Sequence, residues 1–194
     1  MLQFDDLSTL PVARRWRKQR YPAPIVVAII RRDAQTSEVS KTSEVSSYLL
    51  IRRNSDPYQG MWALVGGKWD FGEELGTAVT REVKEETSLD TRFVALRGLV
   101  NERLINDGTA AHFLLFVCEL MVENGRASEQ KEGAVAWFSR AELDELQTQN
   151  AIIPSDYAML VEFATAIQSA SVVEVEMWGA NEETELRRFE RMDR

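Results

Sequence analysis

The chain has 194 residues, which is enough for one domain with a substantial core and leaves little room for a second. Its formal net charge of −8 argues against broad binding to nucleic-acid backbones, so no stable nucleic-acid complex is expected. A single cysteine, Cys118, excludes an intrachain disulfide, and a single histidine, His112, leaves almost no material for a histidine metal site or a Ser/His triad. No signal peptide and no membrane-spanning apolar run are visible, so we expect a cytoplasmic protein without membrane attachment.

The first 22 residues are predicted to be a basic arm that precedes the domain. Basic side chains surround Trp16 between positions 14 and 20. Basic residues around an aromatic ring can bind a nucleotide or nucleic acid. The interpretation we favour is a surface arm whose Trp16 packs on the domain or on a subunit partner.

The domain itself is predicted over residues 23–170, and its first half begins with a hairpin. The β-branched apolar run at 25–30 predicts a buried strand. A short polar direct repeat at 36–40 and 42–46 predicts an enlarged loop, and residues 47–51 predict the returning strand. That strand ends at Arg52 and Arg53, before residues typical of a turn.

Residues 67–89 predict a glycine-containing loop followed by a helix. Apolar residues recur at helical spacing between 78 and 83, and no proline interrupts them. Glu82, Glu85 and Glu86 stand at i, i+3 and i+4, so their carboxylates leave one side of the helix and repel one another by roughly 0.2–0.5 kcal/mol per pair. Taken alone, the three glutamates favour a solvated acidic face. The competing interpretation is a Mg²⁺ site, because that cation prefers oxygen ligands.

The second half of the domain predicts three further strands and two helices. Strands are expected at 93–104 and 112–118 around an Asn-Asp-Gly turn at 106–108, and at 134–138 after a polar loop at 123–133. Ser139 and Glu142 form a capping-box signature for a short helix. A helix from Pro154 is predicted, with an apolar side made of Tyr157, Leu160, Val161 and Ala164.

The segment 171–194 is predicted to be a charged tail that could serve as a dimer arm. Valines and Trp178 predict a strand at 172–178, and residues 182–191 predict a charged helix with Glu183 and Arg187 at i, i+4. A homodimer is therefore one expectation for the whole chain.

The stretch 67–89 resembles the Nudix hydrolase box. That box reads Gly, five residues, Glu, seven residues, Arg-Glu, an aliphatic, one residue, Glu-Glu, one residue, Gly, an aliphatic. The positions in register are Gly67, Glu73, Arg81, Glu82, Val83, Glu85, Glu86 and Leu89. Ser88 stands where the family has glycine, at a helix end where a left-handed residue is commonly needed. Serine adopts that conformation at a cost of about 1 kcal/mol.

The resemblance implies a Nudix-type α/β/α sandwich in the α+β class, with a mixed central sheet, and a reaction that hydrolyses a phosphoanhydride bond. It implies Mg²⁺ as cofactor, with Mn²⁺ as a substitute, held by Glu82, Glu85, Glu86 and the backbone carbonyl of Gly67 or its neighbour. The ion could neutralise charge on the phosphates and activate a water.

Other roles are also implied by the resemblance. Glu73 and Arg81 are expected to form an ion pair that braces the loop against the helix. The general base is left open: Glu85 and Glu86 are catalytic candidates, but box glutamates compete for metal. Glu129 or Glu132 on a later loop would then act, although a solvated loop charge is the alternative for each.

Substrate phosphates are expected to meet basic side chains at the edge of the box, and Arg52, Arg53 and Lys68 are the candidates. For Arg52 and Arg53, a solvated strand end is an equal alternative. The nucleotide substrate is expected to be a small molecule. The chain lacks the downstream proline of many ADP-ribose hydrolases, where Leu104 and Ile105 fall, which favours a MutT-like nucleoside triphosphate pyrophosphohydrolase.

Two alternatives stay open. One is an ADP-ribose or nucleotide-sugar pyrophosphatase. The other, from a different class, is a sensor domain that binds nucleotides without turnover. Such a domain would be expected to lose box glutamates, and all of them are present here.

Overall fold

The computed structural model describes residues 19, 21–32, 46–55, 58–106, 109–165, 170, 173–180 and 183–191. The basic cluster around Trp16, most of the repeat loop and positions 107–108 of the Asn-Asp-Gly turn therefore lie outside the described residues. None of the helices within the described residues has the length and apolar character needed to cross a bilayer.

A mixed sheet of six strands forms the centre of the domain. Its strands are β1 (Ala23–Arg32), β2 (Ser47–Arg53), β3 (Trp62–Lys68), β4 (Asp90–Asn106), β5 (Thr109–Asn124) and β6 (Gly133–Ser139). Their order is β4-β5-β1-β3-β2-β6, with β1 and β5 parallel and the other neighbours antiparallel. The apolar run of β1 is buried on both faces, as its near-continuous β-branched sequence predicts.

Three helices in the described part of the chain cover the two faces of the sheet. They are α1 (Leu75–Thr87), α2 (Arg140–Thr148) and α3 (Pro154–Phe163). On one face, Val79 and Val83 of α1 pack with Val65 of β3 in one core cluster. On the other face, Leu143 of α2 and Leu160 of α3 belong to a second cluster. The predicted α/β/α sandwich is confirmed.

The local signals at the start of α2 are also confirmed. Ser139 accepts a hydrogen bond from the backbone N–H of Glu142, and the Glu142 carboxylate accepts one from the backbone of Ser139. This reciprocal pair satisfies two of the N–H groups that a helix start leaves without partners.

The prediction of the buried side of α3 was wrong at Val161, which is 43% exposed, whereas Met159 is buried. The reason is a contact across the fold: the Asp156 carboxylate accepts a hydrogen bond of 2.8 Å from the backbone N–H of Leu64. That contact fixes the rotation of the helix, and Leu160, one turn after Asp156, turns inward with it.

The prediction of a helix at 182–191 was wrong. Residues Val173–Ala180 form β7 and residues Glu183–Arg191 form β8, which pair as an antiparallel hairpin. The register sets Met177 opposite Leu186 and Val175 opposite Phe189. An i, i+4 ion pair contributes only about 0.3–0.5 kcal/mol to a helix, which cross-strand pairing outweighs. The polar loop predicted from 123 is also shorter than expected, because β5 continues to Asn124.

The end of α1 lies at Ser88, which adopts the left-handed conformation with φ 64° and ψ 4°. Its backbone N–H donates to the carbonyl of Lys84 at 2.9 Å. Its hydroxyl oxygen accepts a hydrogen bond of 2.8 Å from Nε2 of Gln130. A hydrogen bond of this kind contributes about 0.5–1.5 kcal/mol, which is similar to the cost of the left-handed backbone.

Two variants separate these opposing effects. Ser88→Ala and Ser88→Gly both remove the hydroxyl, but only alanine keeps the cost of a Cβ in the left-handed region. We expect Ser88→Gly to exceed Ser88→Ala by about 1 kcal/mol in free energy of unfolding, measured by urea denaturation. Equal stability of the two variants would contradict this.

Candidate active site

Arg81 joins the loop after β3 to the face of α1. Its guanidinium binds both carboxylate oxygens of Glu73, from Nε to Oε1 at 2.7 Å and from Nη2 to Oε2 at 2.9 Å. Nη2 also donates to the backbone carbonyl of Lys68 at 3.1 Å. The hydrogen bonds from Arg81 hold the pKa of Glu73 below its usual value. The loop is therefore closed onto the helix by a bidentate ion pair.

The same guanidinium reaches two of the three glutamates on the helix face. Nη1 of Arg81 lies 2.8 Å from Oε1 of Glu82 and 3.5 Å from Oε2 of Glu85. Glu82 lies directly against Gly67, where an added Cβ would come within 2.3 Å of Oε2. Gly67 thus leaves the space that the Glu82 carboxylate fills, and burial raises the pKa of that carboxyl.

Glu86 is the third glutamate of this face, and Arg81 does not reach it. Its Oε2 accepts a hydrogen bond of 3.2 Å from the backbone N–H of Gly66. The pKa of Glu86 is raised to about 8, mainly by burial and also by the charges of Glu82 and Glu132, while the Gly66 hydrogen bond and Arg53 act in the opposite direction. Glu86 is therefore a partly buried carboxyl whose charge the protein compensates only in part.

The chemistry of this face suits a hard divalent cation, because every donor is a carboxylate or carbonyl oxygen. Among the described residues, no group of three or more His, Cys, Asp or Glu side chains is gathered closely enough to hold an ion. Two of the three glutamates, Glu82 and Glu85, are instead engaged in ion pairs with Arg81. The uncompensated charge at Glu86 is the feature that a bound cation would neutralise, so the donor set fits a metal.

The two candidate bases on the later loop, Glu132 and Glu129, differ in whether their charge acts on Glu86. Glu132 lies in the turn at 130–133, and its charge is among those that raise the pKa of Glu86. Glu129 is exposed and is not among those charges. Of the two, Glu132 is the one whose charge acts on Glu86.

The three candidate phosphate-binding residues also differ. Arg53 is partly buried, and its charge acts on both Glu86 and Asp156. Arg52 is exposed and donates from Nε to the carbonyl of Gly60 at 3.0 Å. Lys68 is partly buried at the end of β3 and contributes its carbonyl to Arg81. Of the three candidates, Arg53 is thus the one whose charge acts on Glu86.

Sequence reasoning missed a second group of ionisable residues beside Arg53. Burial raises the pKa of Asp156 to about 7, and the backbone hydrogen bond from Leu64 and the charge of Arg53 oppose that shift, while Glu102 adds to it. Burial also raises the pKa of Tyr58, with Glu102 and Asp156 adding to the effect. The sequence signal for Asp156 was an acidic residue two positions after the helix-starting Pro154, which predicted only a helix start.

Two proteins are similar to this chain over most of their own length. The chain is 27% identical over 144 residues to an ADP-ribose pyrophosphatase of Methanocaldococcus jannaschii, which covers 74% of this chain and 78% of that protein. It is 28% identical over 116 residues to the nucleoside triphosphatase NudI of Enterobacter sp. (strain 638), which covers 54% of this chain and 82% of that protein.

Similarity extends to solved structures and to a family model. The crystal structure of a MutT NUDIX hydrolase from Burkholderia pseudomallei matches with a TM-score of 0.58 and 25% identity, over 74% of this chain and 98% of that chain. A family model described as NUDIX domain matches residues 22–158, which include the whole box. Since that match spans more than half of the sequence, the chain belongs to the Nudix hydrolase family.

Proposed function

We propose that this Nudix hydrolase is a MutT-like nucleoside triphosphate pyrophosphohydrolase that requires Mg²⁺ or Mn²⁺. The observation that carries the proposal is the partly buried Glu86 carboxyl, which accepts a hydrogen bond from Gly66 and whose charge Glu82, Glu132 and Arg53 influence. A buried acid of this kind is typical of a site that binds a cation or moves a proton.

The ligands we propose are the carboxylates of Glu82, Glu85 and Glu86 and the backbone carbonyl of Gly67. When bound, a divalent cation supplies charge neutralisation of the phosphates and a water of lowered pKa. For Glu82 and Glu85 to serve as ligands, they must exchange part of their contact with Arg81 for the ion. Glu73 keeps its two hydrogen bonds with Arg81 and so holds the loop while this exchange occurs.

Glu132 is the group we propose as general base. It lies on an exposed turn, where a water can reach it, and its charge is among those that act on Glu86. Glu85 and Glu86 are then committed to the metal, and Glu129 is left as a solvated charge. Arg53 would bind a substrate phosphate, because its planar guanidinium can donate two parallel hydrogen bonds to phosphate oxygens.

The triphosphate substrate is supported by two similarities, to the nucleoside triphosphatase NudI and to a MutT structure. The similarity to an ADP-ribose pyrophosphatase favours a second candidate, hydrolysis of ADP-ribose or a nucleotide sugar. Both candidates use the same metal site and differ in the group attached to the diphosphate. A sensor without turnover is disfavoured, because every box glutamate is present.

A hydrolysis screen with Mg²⁺ and with Mn²⁺ tests this proposal. We expect nucleoside triphosphates, with 8-oxo-dGTP included, to yield monophosphate and pyrophosphate. Glu86→Gln is expected to lower kcat by at least about a hundredfold, since a metal ligand and a buried charge are lost together. Glu162→Gln, an exposed carboxylate on α3, is the matched control and should retain full activity.

Other outcomes of this screen would point elsewhere. Turnover confined to ADP-ribose or nucleotide sugars would select the second candidate. Binding of nucleotides without turnover of any substrate would select the sensor. Full activity of Glu86→Gln would refute the proposed metal site.

A stability measurement tests the site without turnover. The pKa of Glu86 is about 8 in the folded state and about 4.3 in the unfolded chain, so between these values the folded state holds a proton that the unfolded state has lost. The free energy of unfolding of the chelator-treated protein should therefore fall as the pH rises from 5 to 8. Glu86→Gln should weaken this slope, and the raised pKa values of Asp156 and Glu82 account for the part that remains.

Addition of Mn²⁺ at pH 8 completes the test. Binding to the folded state should raise the Tm of the wild type and of Glu162→Gln, and should raise the Tm of Glu86→Gln much less. An equal rise in all three proteins would show that the ion binds elsewhere.

A further inference from the structure

We propose that Ser88 is a positioning residue for the reaction: its hydroxyl holds Gln130 and thereby sets where Glu132 stands relative to Glu86. The inference rests on the proposed function, in which Glu132 is the general base. It assigns a role to the one box position at which this chain departs from the family's glycine.

The turn that carries Glu132 is fixed on one side by β2. The backbone N–H of Gly133 donates to the carbonyl of Gln130 at 3.3 Å and closes the turn. Gly133 has φ +146°, and an added Cβ would come within 1.8 Å of the Arg52 carbonyl, so the turn lies directly against the end of β2. Asn54 donates from its backbone to the carbonyl of Glu132 at 3.1 Å and from its side chain to the carbonyl of Lys131.

The other side of the same turn is fixed by the end of α1. Nε2 of Gln130 donates to Oγ of Ser88 at 2.8 Å and to Oγ of Ser128 at 3.1 Å. The backbone N–H of Ser128 donates to the carbonyl of Thr87 at 3.0 Å. The segment 128–130 therefore rests on the last turn of the box helix.

These contacts connect the two groups whose separation matters for proton transfer. Ser88 follows Glu86 by two residues, and Gln130 precedes Glu132 by two residues. The hydrogen bond between Ser88 and Gln130 thus joins the helix that carries Glu86 to the turn that carries Glu132. A general base must lie within hydrogen-bond reach of its water, so a small shift of the turn is costly.

Glycine at position 88 would adopt the left-handed conformation without strain but would offer no side-chain oxygen. Serine supplies the oxygen, and the strain of its backbone offsets what the hydrogen bond contributes to stability. The net gain from serine is therefore in the geometry of the site rather than in the stability of the fold.

The test compares Ser88→Gly with Ser88→Ala in steady-state hydrolysis. Both variants lose the hydroxyl, and we expect kcat to fall about tenfold in both with KM unchanged, although the glycine variant is the more stable of the two. Gln130→Met should give the same fall, and the double variant Ser88→Gly with Gln130→Met should give no further loss. Ser88→Asn, which tolerates the left-handed backbone and restores a side-chain oxygen, should recover part of kcat.

A purely structural role predicts a different pattern. Activity would follow stability, and Ser88→Gly would match the wild type while Ser88→Ala fell below it; that pattern would overturn the inference. Asn150→Gly is the matched control, because Asn150 also has a left-handed backbone, with φ 52°, just after the end of α2. Its kcat should equal that of the wild type.

Amide hydrogen exchange separates failure of this inference from failure of the proposed function. We expect faster exchange at residues 128–133 in Ser88→Gly than in the wild type, whether or not a substrate is known. Unchanged exchange in Ser88→Gly would overturn the role of Ser88. So would an unchanged kcat in Ser88→Gly if Glu132→Gln lowers kcat. Neither result would contradict the proposed hydrolase function. A wild type that hydrolyses no nucleotide overturns the proposed function and the catalytic role of Ser88 with it.

Discussion

The guanidinium of Arg81 is the interaction on which the arrangement of the box depends. It donates two hydrogen bonds to Glu73, one to the backbone carbonyl of Lys68 and one to Glu82. One side chain therefore connects the end of β3, the glycine loop and the helix face. Arginine suits this position because its charge is permanent and its donors are fixed in a plane. The ion pair therefore holds the loop wherever Glu73 is ionised, and the lowered pKa of Glu73 extends that range towards acid pH.

What Arg81 leaves uncompensated is as important as what it binds. Glu86 lies beyond its reach, buried near two further carboxylates, and the backbone N–H of Gly66 together with the charge of Arg53 offsets only part of the cost. A fold optimised for stability alone would replace such a group with an apolar one. Retaining it makes sense where a cation enters the site, because the ion converts an electrostatic penalty into binding energy.

The sequence predicts the features that depend on local spacing and fails where a distant partner decides. The central strand, the register of the box and the cap at Ser139 each follow from a few neighbouring residues. The face of α3 does not, because it is set by Asp156 and Leu64, which are 92 positions apart. The segment 183–191 carries a local helical pair and still forms a strand, since pairing with β7 satisfies a whole row of backbone groups. The turn that carries Glu132 is likewise held by a distant residue, Asn54.

The box helix is held at both of its ends by side chains, and its acidic face lies between them. Arg81 and Glu73 secure the loop before the helix, while Ser88 and Gln130 secure the turn that follows it. The first contact is an ion pair with a large charge component, and the second is a neutral hydrogen bond of ordinary length. The hydrogen bond between Ser88 and Gln130 is therefore the weaker of the two contacts. It joins the helix to the turn that carries the proposed base. Variation at position 88 can change the reach of that base without disturbing the glutamates themselves.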